Sequence, residues 1–276
     1  MSATVSFQVP APHGPGRVTV SYARVGRGEP LVLLHGIGHH RQAWDPVVDI
    51  LATEREVIAV DLPGFGASPA LPDGLAYDLP TTNSVLGALF EALDVDRPHV
   101  AGNSLGGLLA LALGRDRLVR SVTALSPAGF WSRAERRYAF TVLLAMHGIA
   151  RRLPPAVVAG LSRTAAGRTA LTSTIYARPG RRSPEAVVAE TRALATATGF
   201  TATLRAGAAV RFTDDVPGLP VTVAWGTRDR ILVPRQGIRA KHLIPHARLV
   251  RLPGCGHVPM NDDPALVARV VLDGSR

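Results

Sequence analysis

Lysine is nearly missing from this sequence: Lys241 is the only one among 31 basic residues, and all the others are arginine. Cysteine is equally scarce. Cys255 stands alone, which excludes an internal disulfide and a multi-cysteine metal site and argues against thiol redox chemistry. Aromatic residues make up 5% of the chain, and those in its basic region (Trp131, Tyr138, Phe140, Tyr176 and Phe200) match no recognition motif, so nucleic acid is not an expected partner. No apolar run approaches the ~20 residues needed to cross a bilayer. Residues 1–12 also lack the basic cluster and apolar run of an export leader. The sequence therefore predicts a protein with no membrane partner and a cytoplasmic location, and it carries no sign of oligomeric state.

What is present is 276 residues at 46% hydrophobic, enough for one well-buried core but not for two independent ones. The net charge of +10 is localised. Residues 131–212 hold 13 Arg against Glu135, Glu185 and Glu190, and the remainder of the chain balances. If some of these arginines face a pocket, they would recruit an anionic small-molecule substrate. Dispersed among Ala, Leu and Thr, they also fit the solvated faces of short helices.

Apolar runs alternate with helical patterns along most of the chain, the signature of an α/β protein with a mostly parallel, twisted sheet flanked by helices. Strands are expected at 17–25, 30–34, 56–60, 98–101, 119–125, 219–225 and 247–252. Helices are expected at 81–93, 108–113, 234–243 and 263–272. Between 131 and 212 only helical and loop patterns occur, interrupted by Pro154-Pro155, Pro179-Gly180 and Ser183-Pro184. This segment reads as an insertion into a core formed by 1–130 and 213–276.

The strongest motif is Gly102-x-Ser104-x-Gly106, placed where an apolar strand runs into a helix. A nucleophile there sits on a very tight turn, and the glycines are required because a Cβ would collide with the neighbouring strand or helix. A serine hydroxyl needs a general base, and the base needs an orienting carboxylate. Asp229 follows the strand at 219–225 in Gly226-Thr227-Arg228-Asp229. His257 follows the strand at 247–252 in Gly254-Cys255-Gly256-His257. Both fall on loops at the same edge of the sheet, in the chain order Ser, Asp, His.

The competitors fit less well. His13, His39, His40, His99, His147, His242 and His246 follow no late strand on a glycine-rich loop. Asp214 and Asp215 precede their strand, and Asp262 and Asp263 read as the cap of the last helix, just before Pro264. Cys255 reads as a small packing residue.

Together these segments resemble the α/β-hydrolase superfamily over essentially the whole chain outside the insertion. His35-Gly36-Ile37-Gly38, with Trp44 beyond, is similar to the family's oxyanion loop. The run from Asp61-Leu62-Pro63-Gly64 to Ser68 is similar to its next turn, and the Ser104, Asp229 and His257 loops complete the series. The resemblance implies an α/β-hydrolase fold and makes the insertion a helical lid after the sixth strand. It also implies an oxyanion hole built from the backbone N–H groups of Ile37 and Leu105, a structural role for Asp61, and no cofactor or metal. His39, Asn103, Phe130, Trp131 and Val258 are the candidates for substrate contact.

The implied chemistry is acyl transfer through Ser104, with a carboxylic ester or lactone as substrate. Superfamily members that act on haloalkanes or epoxides use Asp where this chain has Ser104. The elbow Gly102-Asn103-Ser104-Leu105-Gly106-Gly107 is close to that of carbon-carbon hydrolases of ring-fission products, which keeps that activity as an alternative. Those enzymes usually place Trp after the histidine, where this chain has Val258. Cofactor-free haloperoxidase-like esterases usually have Met at the position of Leu105. A lyase, a cyclase or a small-molecule binding protein could reuse the same pocket.

Overall fold

The computed structural model describes residues 2–11 and 14–276; Met1, Pro12 and His13, the last of them one of the competing histidines, lie outside the described residues. Among these, eight strands form one sheet: β1 (Ser2–Val9), β2 (Gly16–Val25), β3 (Pro30–Leu34), β4 (Glu56–Val60), β5 (His99–Asn103), β6 (Ser121–Leu125), β7 (Val221–Gly226) and β8 (Arg248–Leu252). The order across the sheet is β1-β2-β4-β3-β5-β6-β7-β8. β2 is antiparallel to β1 and β4, and every pair from β4 to β8 is parallel. β1 was not anticipated, and it supplies the sixth strand ahead of the insertion.

The central parallel strands β3, β5, β6 and β7 are almost entirely buried because helices cover both faces, whereas the edge strand β8 exposes Arg248 and Arg251. Successive side chains point to opposite faces. Leu31 and Leu33 of β3 pack with α1 (Asp45–Leu51) and α10 (Pro264–Asp273), while Val32 and Leu34 pack with α2 (Leu79–Ala92) and α3 (Leu105–Arg115). α1 and the 3-10 turn Arg41–Trp44 before it are further additions to the sequence reading. α9 (Arg235–Leu243) lies between β7 and β8, as expected.

Five helices occupy the stretch between β6 and β7: α4 (Arg133–Arg152), α5 (Pro155–Ser162), α6 (Ala165–Thr172), α7 (Pro184–Thr196) and α8 (Phe200–Gly207). α4 starts on a capping box in which Ser132 and Glu135 satisfy each other's backbone N–H. Glu135 also accepts from Arg235 at 2.6 Å and from Arg239, tying α4 to α9. Among the described residues no single helix is long and apolar enough to cross a membrane.

Candidate active site

β5 delivers Ser104 into the turn before α3 with φ +56° and ψ −111°, a conformation that costs a non-glycine residue ~1–3 kcal/mol and persists only when its surroundings enforce it. They do. The Ser104 N–H donates to the Leu125 carbonyl at 3.0 Å, and the Ser104 carbonyl accepts from Leu108 and Ala128, each at 3.0 Å. A Cβ on Gly102 would run into the Gly106 carbonyl, and one on Gly106 into the Leu34 carbonyl. The motif's glycines are therefore a packing requirement of the turn.

Asp229 and His257 meet as their loop positions predict. Nδ1 of His257 lies 2.8 Å from Oδ2 of Asp229, whose side chain is fully buried. Oδ1 of Asp229 accepts from the backbone N–H groups of Ile231 and Leu232, each at 2.9 Å. With Nδ1–H donating to the carboxylate, the other ring nitrogen, Nε2, is left without a partner among the described residues. His257 and Ser104 line the same cavity.

Three further contacts fix the histidine loop. The Arg228 N–H donates to the Cys255 carbonyl at 2.8 Å. Nδ2 of Asn103 donates to the His257 carbonyl at 2.9 Å and to the Leu125 carbonyl at 3.1 Å. Asp262 accepts from the N–H groups of Gly256 at 2.7 Å, Ala177 at 3.0 Å and Arg178 at 2.7 Å. Asp263 alone caps α10, through the Leu266 N–H. Asp262, expected to share that cap, instead joins the histidine loop to the segment between α6 and α7, because its carboxylate accepts from three N–H groups that no strand or helix uses.

The loop carrying Ile37 is braced from beneath. His35 donates from Nδ1 to the Gly36 carbonyl at 2.7 Å and accepts at Nε2 from Leu62 N–H at 3.0 Å, and burial pushes its pKa down. Asp61 accepts from the Arg41 N–H at 2.7 Å and the Ala67 N–H at 3.0 Å and pairs with the Arg41 guanidinium, a structural tie in agreement with its expected role. Gly36 closely approaches the nucleophile turn, since a Cβ on it would lie 3.3 Å from that of Ser104. The N–H groups of Ile37 and Leu105 donate to no other group among the described residues.

Ser104 stands between two cavities. The larger, about 200 Å³, is lined by Ile37, His39, Asn103, His257 and Val258 of the core and by residues of α4, α6 and α7. The smaller, about 50 Å³, lies beyond Ile37 and Leu105 and includes Trp131. Phe130 lies behind that wall, packed on Phe212 with ring centroids 5.5 Å apart. His39 and His40 are buried and stacked on each other rather than solvent-facing. Burial pushes the Cys255 thiol up to about 12, as befits a packing residue.

The arginine excess faces away from the site. No arginine lines either cavity, and of the 13 in the inserted segment only Arg182 is buried, with its guanidinium turned onto Glu190. Sequence reading passed over Glu190, Tyr176 and Arg182, which form a buried polar cluster against His39 at the wall of the larger cavity. The one available signal was a lone acid, Glu190, among apolar neighbours in a basic stretch.

A mostly parallel sheet with a strained serine at a strand-to-helix turn and an Asp–His pair on the same edge defines a hydrolase-type fold and site. The chain belongs to the alpha/beta hydrolase family, whose model matches residues 31–270. A pimeloyl-[acyl-carrier protein] methyl ester esterase of Aeromonas hydrophila is 38% identical over 153 residues, 54% of this chain and 53% of that protein. A 2-hydroxy-6-oxo-2,4-heptadienoate hydrolase of Pseudomonas putida is 38% identical over 100 residues, 35% of this chain and 36% of that protein. The chain thus spans about half the length of the first relative and about a third of the second. Among solved structures, a thermophilic esterase from Thermogutta terrifontis superposes with a TM-score of 0.75 at 21% identity, over 97% of each chain.

Proposed function

We propose that this chain is a serine hydrolase that cleaves a carboxylic ester or lactone of a small organic molecule through an acyl-enzyme, with Ser104, His257 and Asp229 as its triad. The observation that carries this reading is the 2.8 Å His257–Asp229 contact beside a serine held at φ +56° on the wall of the same cavity. Nε2 of His257 takes the Ser104 proton as Oγ attacks the carbonyl carbon, and Asp229 stabilises the resulting imidazolium. The unengaged N–H groups of Ile37 and Leu105 receive the oxyanion, each worth ~3 kcal/mol of barrier on the scale of comparable deletions. His257 then protonates the leaving oxygen, and water, activated by the same base, releases the acid.

The helices α4–α8 act as a lid in this reading: α4, α6 and α7 roof the larger cavity, while the smaller cavity takes the other side of the scissile bond. Asn103 positions the histidine loop, and Val258, His39 and Trp131 face substrate. Every step is served by side chains and amides, so neither metal nor cofactor is called for. Hydrolysis of p-nitrophenyl esters of rising chain length tests the reading, with Ser104→Ala as the inactive control.

A second reading is carbon-carbon hydrolysis, favoured by the Gly102–Gly107 elbow and by the relative whose named substrate is a hydroxy-oxo-dienoate rather than an ester. A ring-fission dienol assayed beside the ester and lactone panels separates the two.

A further inference from the structure

The larger cavity is apolar over most of its wall, where Leu143, Met146, Ile149, Leu153, Leu171 and Leu194 face one another. At the His39–Glu190 side it is not. Glu190, on α7, is 6% exposed, and one of its oxygens takes all its partners: Oε1 accepts from Tyr176 Oη at 2.9 Å, from Arg182 Nε at 2.7 Å and from a second Arg182 N–H. Oε2 has no partner among the described residues, although an ionised carboxylate oxygen can accept two hydrogen bonds. Burial pushes the Glu190 pKa up and the Arg182 guanidinium works against it. Two Arg182 donors converge on Oε1, the contact that favours the charged form of the group.

His39 offers the complementary half. Its Nδ1 accepts from the His40 N–H at 3.0 Å, and burial pushes its pKa well below the ordinary value, so the neutral ring carries its proton on Nε2. That Nε2–H lies 3.5 Å from Tyr176 Oη and 3.9 Å from Glu190 Oε1, both too far for a good hydrogen bond. His39 and Glu190 both line this wall of the cavity, so an under-used donor and an unused, closely packed acceptor belong to neighbouring lining residues.

We infer that His39 and Glu190 form a hydroxyl-recognition subsite: a substrate hydroxyl donates to Oε2 of Glu190 and accepts from Nε2–H of His39. A carboxylate has no proton to offer and meets the charge of Glu190, and an ammonium has no lone pair to offer His39. The subsite selects a hydroxylated substrate over an anionic one. This rests on the cavity being the substrate site of the hydrolase proposed above.

The test compares methyl esters of equal chain length ending in methyl, hydroxyl or carboxylate, over a series of lengths. KM is measured on the wild type, and Kd by calorimetry on Ser104→Ala, where binding is read without turnover. At the length that reaches the subsite, the hydroxyl ester should bind about tenfold tighter than the methyl ester and the carboxylate should bind weakest. In Glu190→Gln, Arg182 and Tyr176 hold the amide oxygen and turn the NH₂ to the position of Oε2, replacing the acceptor with a donor. The hydroxyl advantage should then shrink and the carboxylate should gain about tenfold, an inversion that loss of a merely structural contact would not produce. His39→Leu, which removes only the donor, should cut the hydroxyl preference about threefold and keeps the subsite testable if Glu190→Gln does not fold. Equal binding of the three esters at every length, no binding of any, or uniform weakening by Glu190→Gln would overturn the subsite. A hydroxyl preference in Kd without ester turnover by the wild type would uphold the subsite and overturn the esterase reading, whereas turnover without preference would do the reverse.

Discussion

Asp229 engages His257 with one carboxylate oxygen at 2.8 Å and holds two backbone amides, those of Ile231 and Leu232, with the other. That division fixes how an amide would sit in its place. In Asp229→Asn the carbonyl oxygen must stay on the two amides, so the NH₂ group faces Nδ1 of His257 and drives the imidazole proton to Nε2, where the base is needed. Turnover should fall about 10⁴-fold, in line with loss of the orienting carboxylate in other triads. Asp215→Asn, whose carboxylate caps Val216 away from the cavity, should change turnover little. Comparable mild effects in kcat at the two positions would mean that another carboxylate serves His257.

Gly102→Ala and Gly106→Ala should each destabilise the fold by about 3 kcal/mol or more, because the added methyl group meets backbone carbonyls that cannot rotate away. Gly160→Ala, where a Cβ meets nothing within 4 Å in α5, should be neutral or slightly stabilising. Urea unfolding of the three variants checks the contrast. Equal midpoints would contradict the packing at the nucleophile turn.

Since no arginine lines either cavity, salt should not weaken the binding of an anionic substrate at the site. Between 0.1 M and 1 M salt, where the screening length falls from ~10 Å to ~3 Å, KM for the ω-carboxylate analogue of an ester should not rise relative to KM for the neutral ester. A KM that rises for the anion alone would return the arginines to the pocket.

His35, His39 and His40 are held neutral by burial, with His40 pushed down to about 4. The unfolded chain takes up protons on these rings near pH 6.5 while the native chain does not, so stability falls as the pH drops below about 6.5. Each ring contributes up to about 1.4 kcal/mol per pH unit until its folded value is reached. Glu190, pushed upward by burial, offsets part of this. The urea midpoint should decrease from pH 7 to pH 5, and His40→Gln should flatten that slope. A midpoint independent of pH over this range would contradict the neutral cluster.

The parallel core was legible because its strands are mostly short apolar runs closed by glycine-rich loops, and those loops carry Ser104, Asp229 and His257. β1 escaped although Val5, Phe7 and Val9 alternate, because it is an edge strand paired only with β2 and only its last residue is buried. α1 is seven residues long, too short for a clear helical period. His39, Asn103 and Val258 of the cavity wall were legible from their loops, but the part of the wall formed by the insertion was not. Glu190 and Tyr176 meet His39 across 151 and 137 positions of chain, and Asp262 exchanges an expected helix cap for three amides of loops that only the folded chain brings together. The charge excess was located correctly, but which way the arginines face depends on helix packing within the insertion.

Labelling with a fluorophosphonate, read by mass spectrometry of the peptides, tests the nucleophile directly, because the reagent needs an activated serine and no knowledge of the natural substrate. The wild type should carry one adduct, on Ser104, and lose ester turnover in step with labelling. Ser104→Ala should carry none and melt close to the wild type, because alanine keeps the Cβ that sets the strain of the turn. An adduct on another serine, or turnover retained by Ser104→Ala, would contradict the assignment of the active site.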